Sequence, residues 1–330
     1  MSEKLYRVAL REALDEEMAR DDKIFLIGED IGHFGGAYRV TEGLLEKYGE
    51  MRVVDTPISE EAFVGTAIGA AMAGLRPVVE LMTVNFSLVA FDQIVQNAAK
   101  IRYMFGGQVS VPLVIRMPGG AGHQLSSQHS HSFEVLYGMI PGLLVAAPTT
   151  PADAKGMLKA AIRTDNPVIF LESMGLYNSR GEVPDGDYVQ SLGAAAVRRT
   201  GADITIVGVS RQAINATLAA VKLEEEESIE AEVIDLRSIR PIDWDTIASS
   251  VTKTGRLLVV EEGWTTYGVG AEIAAGISER CFDYLDAPVL RIGGAEVPMP
   301  YNQELERAAI PSVGKIADTA VQMVGKKARV

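Results

Sequence analysis

Short apolar runs alternate with helix-like stretches along most of this 330-residue chain, and this alternation constrains the fold more than any other feature. In the first half, the runs that predict buried strands are 24–28, 77–81, 111–116, 143–146 and 168–172. The stretches that predict helices are about 3–20, 60–74, 88–104, 132–138 and 151–163. In the second half, further strands are predicted at 204–209, 232–236, 257–261 and 289–292. Strands that alternate with helices form βαβ units, so we expect an α/β fold with mainly parallel sheets flanked by helices.

A polar, irregular stretch from about 173 to 200 separates the two halves. A chain of 330 residues is long enough for two domains, because domains usually have about 100–200 residues. We therefore predict a first domain at 1–185, a linker at 186–202 and a second domain at 203–330.

The composition excludes several classes of protein. The formal net charge is −13, which disfavours nucleic acid and anionic membranes as partners. Cys281 is the single cysteine, so no internal disulfide is expected and a reducing compartment is favoured. The N-terminus shows no apolar signal core, and no apolar run reaches the roughly 20 residues of a membrane-spanning helix. We expect a cytoplasmic protein.

The segment 59–74 places an acid at the entrance of an unusually small-sided helix. Ser59 is a good N-cap residue, and Glu60 follows in the first turn, where a carboxylate offsets the helix dipole. Gly65 and Gly69 each cost about 1 kcal/mol in helix propensity. A helix tolerates that cost where its backbone lies close against another element, and here we expect the matching helix of a partner chain.

Short motifs along nearly the whole chain give this segment a context. They include Gly-Glu-Asp-Ile-Gly at 28–32, Gly-Gly-Ala-Tyr-Arg-Val-Thr at 35–41, Asp-Thr-Pro-Ile-Ser-Glu at 55–60, Gly-Ala-Ala-Met-Ala-Gly-Leu-Arg-Pro at 69–77, Gln-His-Ser at 128–130, Glu-Gly-Trp at 262–264 and Val-Pro-Met-Pro-Tyr at 297–301. Together they resemble the beta subunit of the thiamine diphosphate-dependent decarboxylating component of 2-oxo acid dehydrogenase complexes, most of all its pyruvate dehydrogenase branch. The resemblance implies a pyrimidine-binding domain followed by a transketolase C-terminal-like domain.

The resemblance also implies roles for residues of the first half. The glutamate at the Glu60 position hydrogen-bonds a nitrogen of the cofactor's aminopyrimidine ring and favours its imino tautomer. Phe86 aligns with an aromatic residue that stacks on this ring, and Met82 packs beside it. Glu29 and Asp92 align with acids that line a tunnel between paired active sites.

His129 aligns with the family's active-site histidine, which helps to position the substrate carboxylate and to hand the acyl group to lipoamide. An imidazole titrates near neutral pH, which suits both roles. Two residues depart from the family: His131 replaces a glutamine, and Met139 replaces a second histidine found in many relatives. Pyruvate is the favoured substrate, while a branched-chain 2-oxo acid and acetoin stay open.

Half of the cofactor site is missing from this sequence. Thiamine diphosphate needs a divalent metal, usually held by Gly-Asp-Gly and a later asparagine, but Asp187 is followed here by Tyr188. The resemblance therefore implies a separate alpha subunit that holds Mg²⁺ and the diphosphate. The expected assembly is an α2β2 heterotetramer with active sites between chains, and a lipoyl acyltransferase core is the expected further partner.

A potassium ion is also implied by the resemblance. In relatives it is bound mainly by backbone carbonyls, and the matching residues here are Leu113, Ala161, Ile162 and Asn166. The acid that those relatives have at position 164 is Thr164 in this chain.

Two other functions stay open. A non-catalytic scaffold that only tethers the acyltransferase core would need none of Glu60, Phe86 and His129. A metal-dependent hydrolase could use His123, His129 and His131 as ligands. The glycine-rich residues 119–122 lack the Gly-Lys-Ser/Thr ending of a nucleotide P-loop, so we interpret them as a turn with close packing.

Overall fold

The computed structural model describes residues 1–325, which form two compact units. Unit 1 comprises residues 1–119 and 136–192. Unit 2 comprises residues 120–135 together with the chain from Gly193 onward, so a short internal segment belongs with the C-terminal half. The domain boundaries given above stay a prediction.

Unit 1 is built on parallel strands that are buried on both faces. The strands are β2 (Ile24–Gly28), β3 (Val53–Asp55), β4 (Arg76–Glu80), β5 (Val114–Gly119), β6 (Leu144–Ala146) and β7 (Val168–Ser173). They lie in the order β6-β7-β5-β4-β2-β3, and each neighbouring pair is parallel. Val78, Val114 and Val168 are in register across three of these strands, and each is at most 2% exposed. Apolar residues that continue along a strand in this way are typical of a parallel sheet covered on both faces.

Helices cover these strands. The helices before residue 193 are α1 (Tyr6–Arg20), α2 (Leu44–Tyr48), α3 (Glu60–Met72), α4 (Ile101–Met104), α5 (Glu134–Gly138) and α6 (Pro151–Arg163). α6 begins with a capping box, in which Thr150 and Asp153 each accept the other's backbone N–H. A two-stranded antiparallel ribbon of β1 (Ser2–Leu5) and β8 (Arg180–Val183) completes unit 1.

Two predicted helices of unit 1 were wrong in extent. The helix expected at 88–104 is replaced by a 3₁₀ turn (Val84–Leu88), a π-helical turn (Gln93–Ala98) and α4. The π-helical turn packs closely on α3, because the Gln93 side-chain oxygen lies 3.2 Å from where a Cβ of Gly65 would be. The helix expected at 3–20 begins only at Tyr6, since the preceding residues pair with β8.

Unit 2 contains a second, mainly parallel sheet. Its strands are β9 (Ala196–Arg199), β10 (Ile204–Gly208), β11 (Ala231–Asp235), β13 (Leu257–Trp264) and β14 (Leu290–Gly294), in the order β14-β13-β10-β11-β9, and β12 (Ser238–Arg240) follows β11 in the chain. All neighbours are parallel except β9, which runs antiparallel to β11. The helices are α7 (Arg211–Glu227), α8 (Trp244–Thr254), α9 (Val269–Cys281), α10 (Gln303–Ala309) and α11 (Val313–Val324). α7 and α11 share one apolar core with the sheet, which includes Ile206, Val233 and Ile316.

The prediction of an α/β fold with mainly parallel sheets flanked by helices is confirmed. The stretch at 173–200 was expected to be irregular, but it contains β8 and β9. Both strands are short and carry exposed polar residues, which removes the apolar signal by which strands are recognised. Within residues 1–325, none of the helices combines the length and the apolar character needed to cross a lipid bilayer.

Candidate functional site

Glu60 opens α3, as predicted, and only 5% of the residue is exposed. Ser59 occupies the N-cap position, as predicted, but its hydroxyl donates to the Pro57 carbonyl oxygen at 3.1 Å and makes no capping hydrogen bond. The Ser59 backbone N–H lowers the pKa of the Glu29 carboxyl. The positive end of the α3 dipole therefore faces two acids from different parts of the sequence.

Glu29 is the second acid at this position. It follows β2, it is 4% exposed, and its Oε1 atom is buried without a hydrogen-bond partner. The pKa of Glu29 is raised to about 7, mainly by burial and further by the charge of Glu60, while the Ser59 N–H opposes the rise. The Glu29 carboxyl can therefore keep a proton near neutral pH while it lies beside a second carboxyl group.

The loop that carries Glu29 is fixed by short contacts. Asp55, at the end of β3, accepts the Gly32 N–H at 2.6 Å, and the Thr41 hydroxyl donates to the Ile31 carbonyl oxygen at 2.6 Å. A Cβ on Gly32 would lie 2.6 Å from Asp55 Oδ2, so a larger residue does not fit there. These contacts hold Glu29 at the N-terminus of α3.

Phe86 and Met82, the predicted ring contacts, both lie just after β4 and are partly exposed. Phe86 is on the 3₁₀ turn, whose buried Ser87 accepts a hydrogen bond from the Tyr137 hydroxyl. Burial raises the pKa of Tyr137 to about 12, so its hydroxyl remains a donor. The hydrogen bond from Tyr137 thus holds the turn on its buried side, while the partly exposed ring of Phe86 is available for stacking on another ring. Asp92 is exposed at the first position before the π-helical turn.

A buried charge network across β4, β5 and β7 was missed by the sequence analysis. Arg116 is 1% exposed, and its guanidinium donates to the two carboxyl oxygens of Glu172 at 2.7 and 2.8 Å and also to Glu80. The Tyr177 hydroxyl donates to Glu172 at 2.6 Å. Burial opposes the charge, but the two carboxylates raise the pKa of Arg116. A Cβ on Gly36 would lie 2.7 Å from Glu80 Oε1, so the network also supports the loop that carries Glu29.

His129 belongs to unit 2 and lies in a loop of residues 120–131, which we call the histidine loop. The Gly120 N–H donates to the His131 carbonyl oxygen at 2.8 Å and closes this loop. Within it, the His129 N–H donates to the Ser126 carbonyl oxygen at 3.3 Å. The structure thus places Glu60 in unit 1 and His129 in unit 2.

His131 is set among aromatic side chains. Its ring stacks on Phe133 with centroids 4.6 Å apart, and it meets Trp264 edge-on at 5.9 Å. Burial lowers the pKa of His131, which favours the neutral imidazole. The neighbouring Ser130 hydroxyl oxygen is buried without a hydrogen-bond partner. Met139, the other departure from the family, lies in unit 1 and is 62% exposed.

The interpretation of His123, His129 and His131 as metal ligands was wrong. Across the described part of the chain, no group of three or more His, Cys, Asp or Glu side chains is placed to hold a metal ion. Asp187, which the sequence analysis compared with a metal-binding motif, binds Lys159 at 2.7 Å and Arg163 at 2.6 Å. The charge of Asp187 is therefore already matched by two cations within unit 1.

The residues predicted to bind potassium lie around the C-terminus of α6, where a fixed cation is already present. Arg76 donates to the Ile162 carbonyl oxygen at 3.0 Å and to the Thr164 carbonyl oxygen at 2.7 Å. The Leu113 carbonyl oxygen accepts the Val168 N–H at 2.8 Å. Each carbonyl oxygen has a second lone pair, so the potassium site stays a prediction.

The chemistry of Glu60, Glu29 and Phe86 fits an aminopyrimidine ring. The ring presents nitrogen donors and acceptors at its edge and a flat apolar face. Glu60 and the unsatisfied oxygen of Glu29 suit the edge, and Phe86 suits the face. These side chains are all in unit 1.

Two family models match the chain and together cover most of it. Residues 2–180 match the transketolase pyrimidine-binding domain, and residues 193–316 match the transketolase C-terminal domain. A solved structure described as a split-gene transketolase in an inactive beta4 tetramer is similar in fold, with a TM-score of 0.81, 22% identity and 98% of each chain covered.

Several curated relatives are similar over nearly the whole chain. The mitochondrial pyruvate dehydrogenase E1 component subunit beta of Dictyostelium discoideum is 50% identical, over 95% of this chain and 89% of the relative. The E1 subunit beta of Rhizobium meliloti is 51% identical over 94% of this chain and 68% of the relative. The mitochondrial subunit beta-1 of Arabidopsis thaliana is 52% identical over 94% of this chain and 86% of the relative.

Proposed function

The chain belongs to the family of pyruvate dehydrogenase E1 beta subunits, and we propose that it supplies the aminopyrimidine half of a thiamine diphosphate site for the oxidative decarboxylation of pyruvate. The observation that carries this proposal is the buried pair of Glu29 and Glu60 at the start of α3, with one carboxyl oxygen unsatisfied. A purely structural helix start needs one exposed acid, and it gains nothing from a second buried one.

When bound, thiamine diphosphate supplies the carbon nucleophile and the electron sink that the decarboxylation of a 2-oxo acid requires. Glu60 exchanges a hydrogen bond with a ring nitrogen, and its burial keeps water from competing for that bond. Glu29 keeps a proton near neutral pH and so limits the negative charge that Glu60 experiences. Phe86 orients the ring by stacking, and Met82 contributes an adaptable apolar contact beside it.

His129 is proposed to orient the substrate carboxylate and to donate a proton while the acyl group passes to a lipoyl carrier. An imidazole ring suits both purposes, because its nitrogens can donate and accept hydrogen bonds. The backbone of His129 is held within the histidine loop by its own hydrogen bond to Ser126 at 3.3 Å and by the closure of the loop between Gly120 and His131 at 2.8 Å.

The proposed partners supply what this chain lacks for binding and using thiamine diphosphate. An alpha subunit is proposed to hold Mg²⁺ and the diphosphate within an α2β2 heterotetramer, and a lipoyl acyltransferase core is proposed as the acyl acceptor. The names of the relatives, each a subunit beta of an E1 component, support the first partner. Those relatives include bacterial and mitochondrial proteins, and we propose the cytoplasm for this chain. Asp92 is proposed to face a tunnel between paired sites.

Replacement of Glu60 by Gln tests the proposal directly. In the complex with the alpha subunit, we expect decarboxylation measured with an artificial electron acceptor to fall by about 100-fold or more, while assembly is intact. The control is Glu61→Gln, since Glu61 is the next residue of α3 and is exposed. Near-normal turnover of the Glu60 variant would rule out the proposed role. The same assay separates this function from a non-catalytic scaffold, which would support no turnover in the wild-type complex.

The substrate and the potassium ion need separate measurements. The ratio of kcat/KM for pyruvate, a branched-chain 2-oxo acid and acetoin identifies the substrate, and we expect pyruvate to be the highest. Activity and thermal stability in potassium and in sodium buffers test the ion at Leu113, Ala161, Ile162 and Asn166. Identical values in the two buffers would count against that site.

A further inference from the structure

The histidine loop has an unusual backbone. Gly120, Gly122, Gln124 and Ser126 have positive φ angles of 87°, 111°, 56° and 66°, so every second residue is left-handed. Residues that alternate between left-handed and ordinary conformations turn successive N–H groups toward the same side, and such a concave arrangement binds anions. Gln124 and Ser126 adopt this conformation although they carry a Cβ, which requires the surroundings to fix it.

Two carboxylates of unit 2 occupy this concave surface. Glu306 on α10 is 1% exposed, and its Oε1 accepts the Gly122 N–H at 2.9 Å and the Gln124 N–H at 3.1 Å. Glu262 on β13 accepts the Ala121 N–H at 2.6 Å. Hydrogen bonds from N–H groups to an ionised carboxylate are stronger than those between neutral groups.

An arginine completes the attachment from the other side. Arg211 on α7 donates to Glu262 Oε2 at 2.7 Å and to the Ala121 carbonyl oxygen at 3.1 Å. The glycines leave room for these groups: a Cβ on Gly120 would lie 2.7 Å from Glu262 Oε1, and one on Gly122 would lie 2.9 Å from Arg211 Nη1. Gly120 and Gly122 thus allow Glu262 and Arg211 to pack directly against the backbone of the first half of the histidine loop.

We propose that Glu306 and Glu262 are positioning residues for His129, and that they act by holding the backbone N–H groups of residues 121–124. The histidine loop is closed at its base between Gly120 and His131, so a shift of its first half moves the segment that carries His129. The inference rests on the proposed function only for the effect on catalysis. Its structural part, the restraint of the loop by two carboxylates, does not depend on any activity.

The test uses Glu306→Gln in the assembled complex with the alpha subunit. The amide keeps the size of the side chain and can still turn its carbonyl oxygen toward the backbone N–H groups, but it has no negative charge, so the hydrogen bonds that hold the loop become weaker. Hydrogen–deuterium exchange of the peptide that covers residues 120–131 is expected to speed up by about tenfold, with the rest of unit 2 unchanged. The control is Glu304→Gln, because Glu304 lies on the same helix and is exposed.

A double-mutant cycle with His129→Ala identifies the route of the effect. In an otherwise normal complex, Glu306→Gln is expected to lower acyl transfer to the lipoyl carrier by about tenfold, and in the His129→Ala background it should have little further effect. Glu262→Gln should behave in the same way, and it serves as the test if Glu306→Gln does not fold. Unchanged exchange at 120–131, or an equal loss of activity with and without His129, would overturn the proposal. If the wild-type complex has no 2-oxo acid activity, the proposed function fails, while the exchange result still tests the restraint.

Discussion

The carboxyl of Glu29 interacts electrostatically with Glu60, the first residue of α3, although the two are 31 positions apart in a chain of 330. Both side chains are at most 5% exposed, and the Glu60 charge helps to raise the pKa of Glu29 to about 7. Burial disfavours the ionised form of Glu29 and the charge of Glu60 repels it, so the native state favours a proton on Glu29. This relationship has a direct consequence for stability.

The stability of the chain should depend on pH through Glu29. Its pKa rises from 4.5 to about 7 on folding, so this contribution is fully present below pH 4.5 and is lost as the pH rises through about 7. We expect the free energy of unfolding to fall by up to about 3 kcal/mol over that range, and Glu29→Gln to remove most of the slope. Urea denaturation at a series of pH values measures it. Equal slopes for the wild type and the variant would contradict the assignment.

His131 should produce the opposite dependence at lower pH. Because burial lowers its pKa below 6.5, the unfolded chain binds a proton more readily, and stability is lost as the pH falls below about 6.5. His131→Gln, which restores the family's glutamine, should remove this acid-side loss. Melting temperatures of both proteins on either side of that pH provide the test, and a variant that loses as much stability in acid as the wild type would refute it.

Removal of Arg116 should destabilise the chain strongly. Arg116→Leu leaves Glu80 and Glu172 buried without their cation, and the expected loss in free energy of unfolding is about 3–5 kcal/mol. The matched control is Arg180→Leu, whose partner Glu3 is 3.4 Å away and whose side chain is 64% exposed. Exposed pairs of this kind contribute less than about 1 kcal/mol. Similar losses for both variants would mean that the buried network has no special importance.

Gly69 should matter for assembly and not for the isolated fold. Among residues 1–325, and apart from the neighbouring backbone of α3 itself, a Cβ at Gly69 would meet no atom within 4 Å, whereas one at Gly65 would approach Gln93. Gly69→Leu should therefore keep or slightly raise the melting temperature of the chain, since leucine is the better helix former. It should nevertheless block association with the alpha subunit or with a second copy. Light scattering of the mixed subunits measures this, with Gly314→Leu in α11 as control. Normal assembly of the Gly69 variant would show that this face of α3 is not a subunit contact.

Much of the fold follows from local patterns. The strands at 24–28 and 168–172 and the helix at 151–163 were predicted closely, because each has a continuous apolar run or a clear capping sequence. The start of α3 at Glu60 was predicted from the acid and the serine that precedes it. The predicted capping hydrogen bond of Ser59 is not formed, because its hydroxyl donates to the Pro57 carbonyl oxygen.

The features that escaped prediction depend on distant partners. Arg116 and Glu172 are 56 residues apart, and each appears in the sequence only as a single charge inside an apolar strand. The left-handed conformation of Gln124 and Ser126 is equally invisible, since neither residue type demands it. The attachment of the histidine loop comes from Glu262 and Glu306, more than 130 residues later in the chain.

Because Glu262 and Glu306 come from the C-terminal half of the chain, they affect how hybrids between relatives of this chain should be divided. A hybrid with one crossover between the two halves would take residues 120–135 from one parent and Glu262 and Glu306 from the other. The backbone of the histidine loop and the carboxylates of Glu262 and Glu306 would then come from sequences that did not evolve together. A hybrid designed with three junctions, so that residues 120–135 are inherited together with the C-terminal half, keeps them matched.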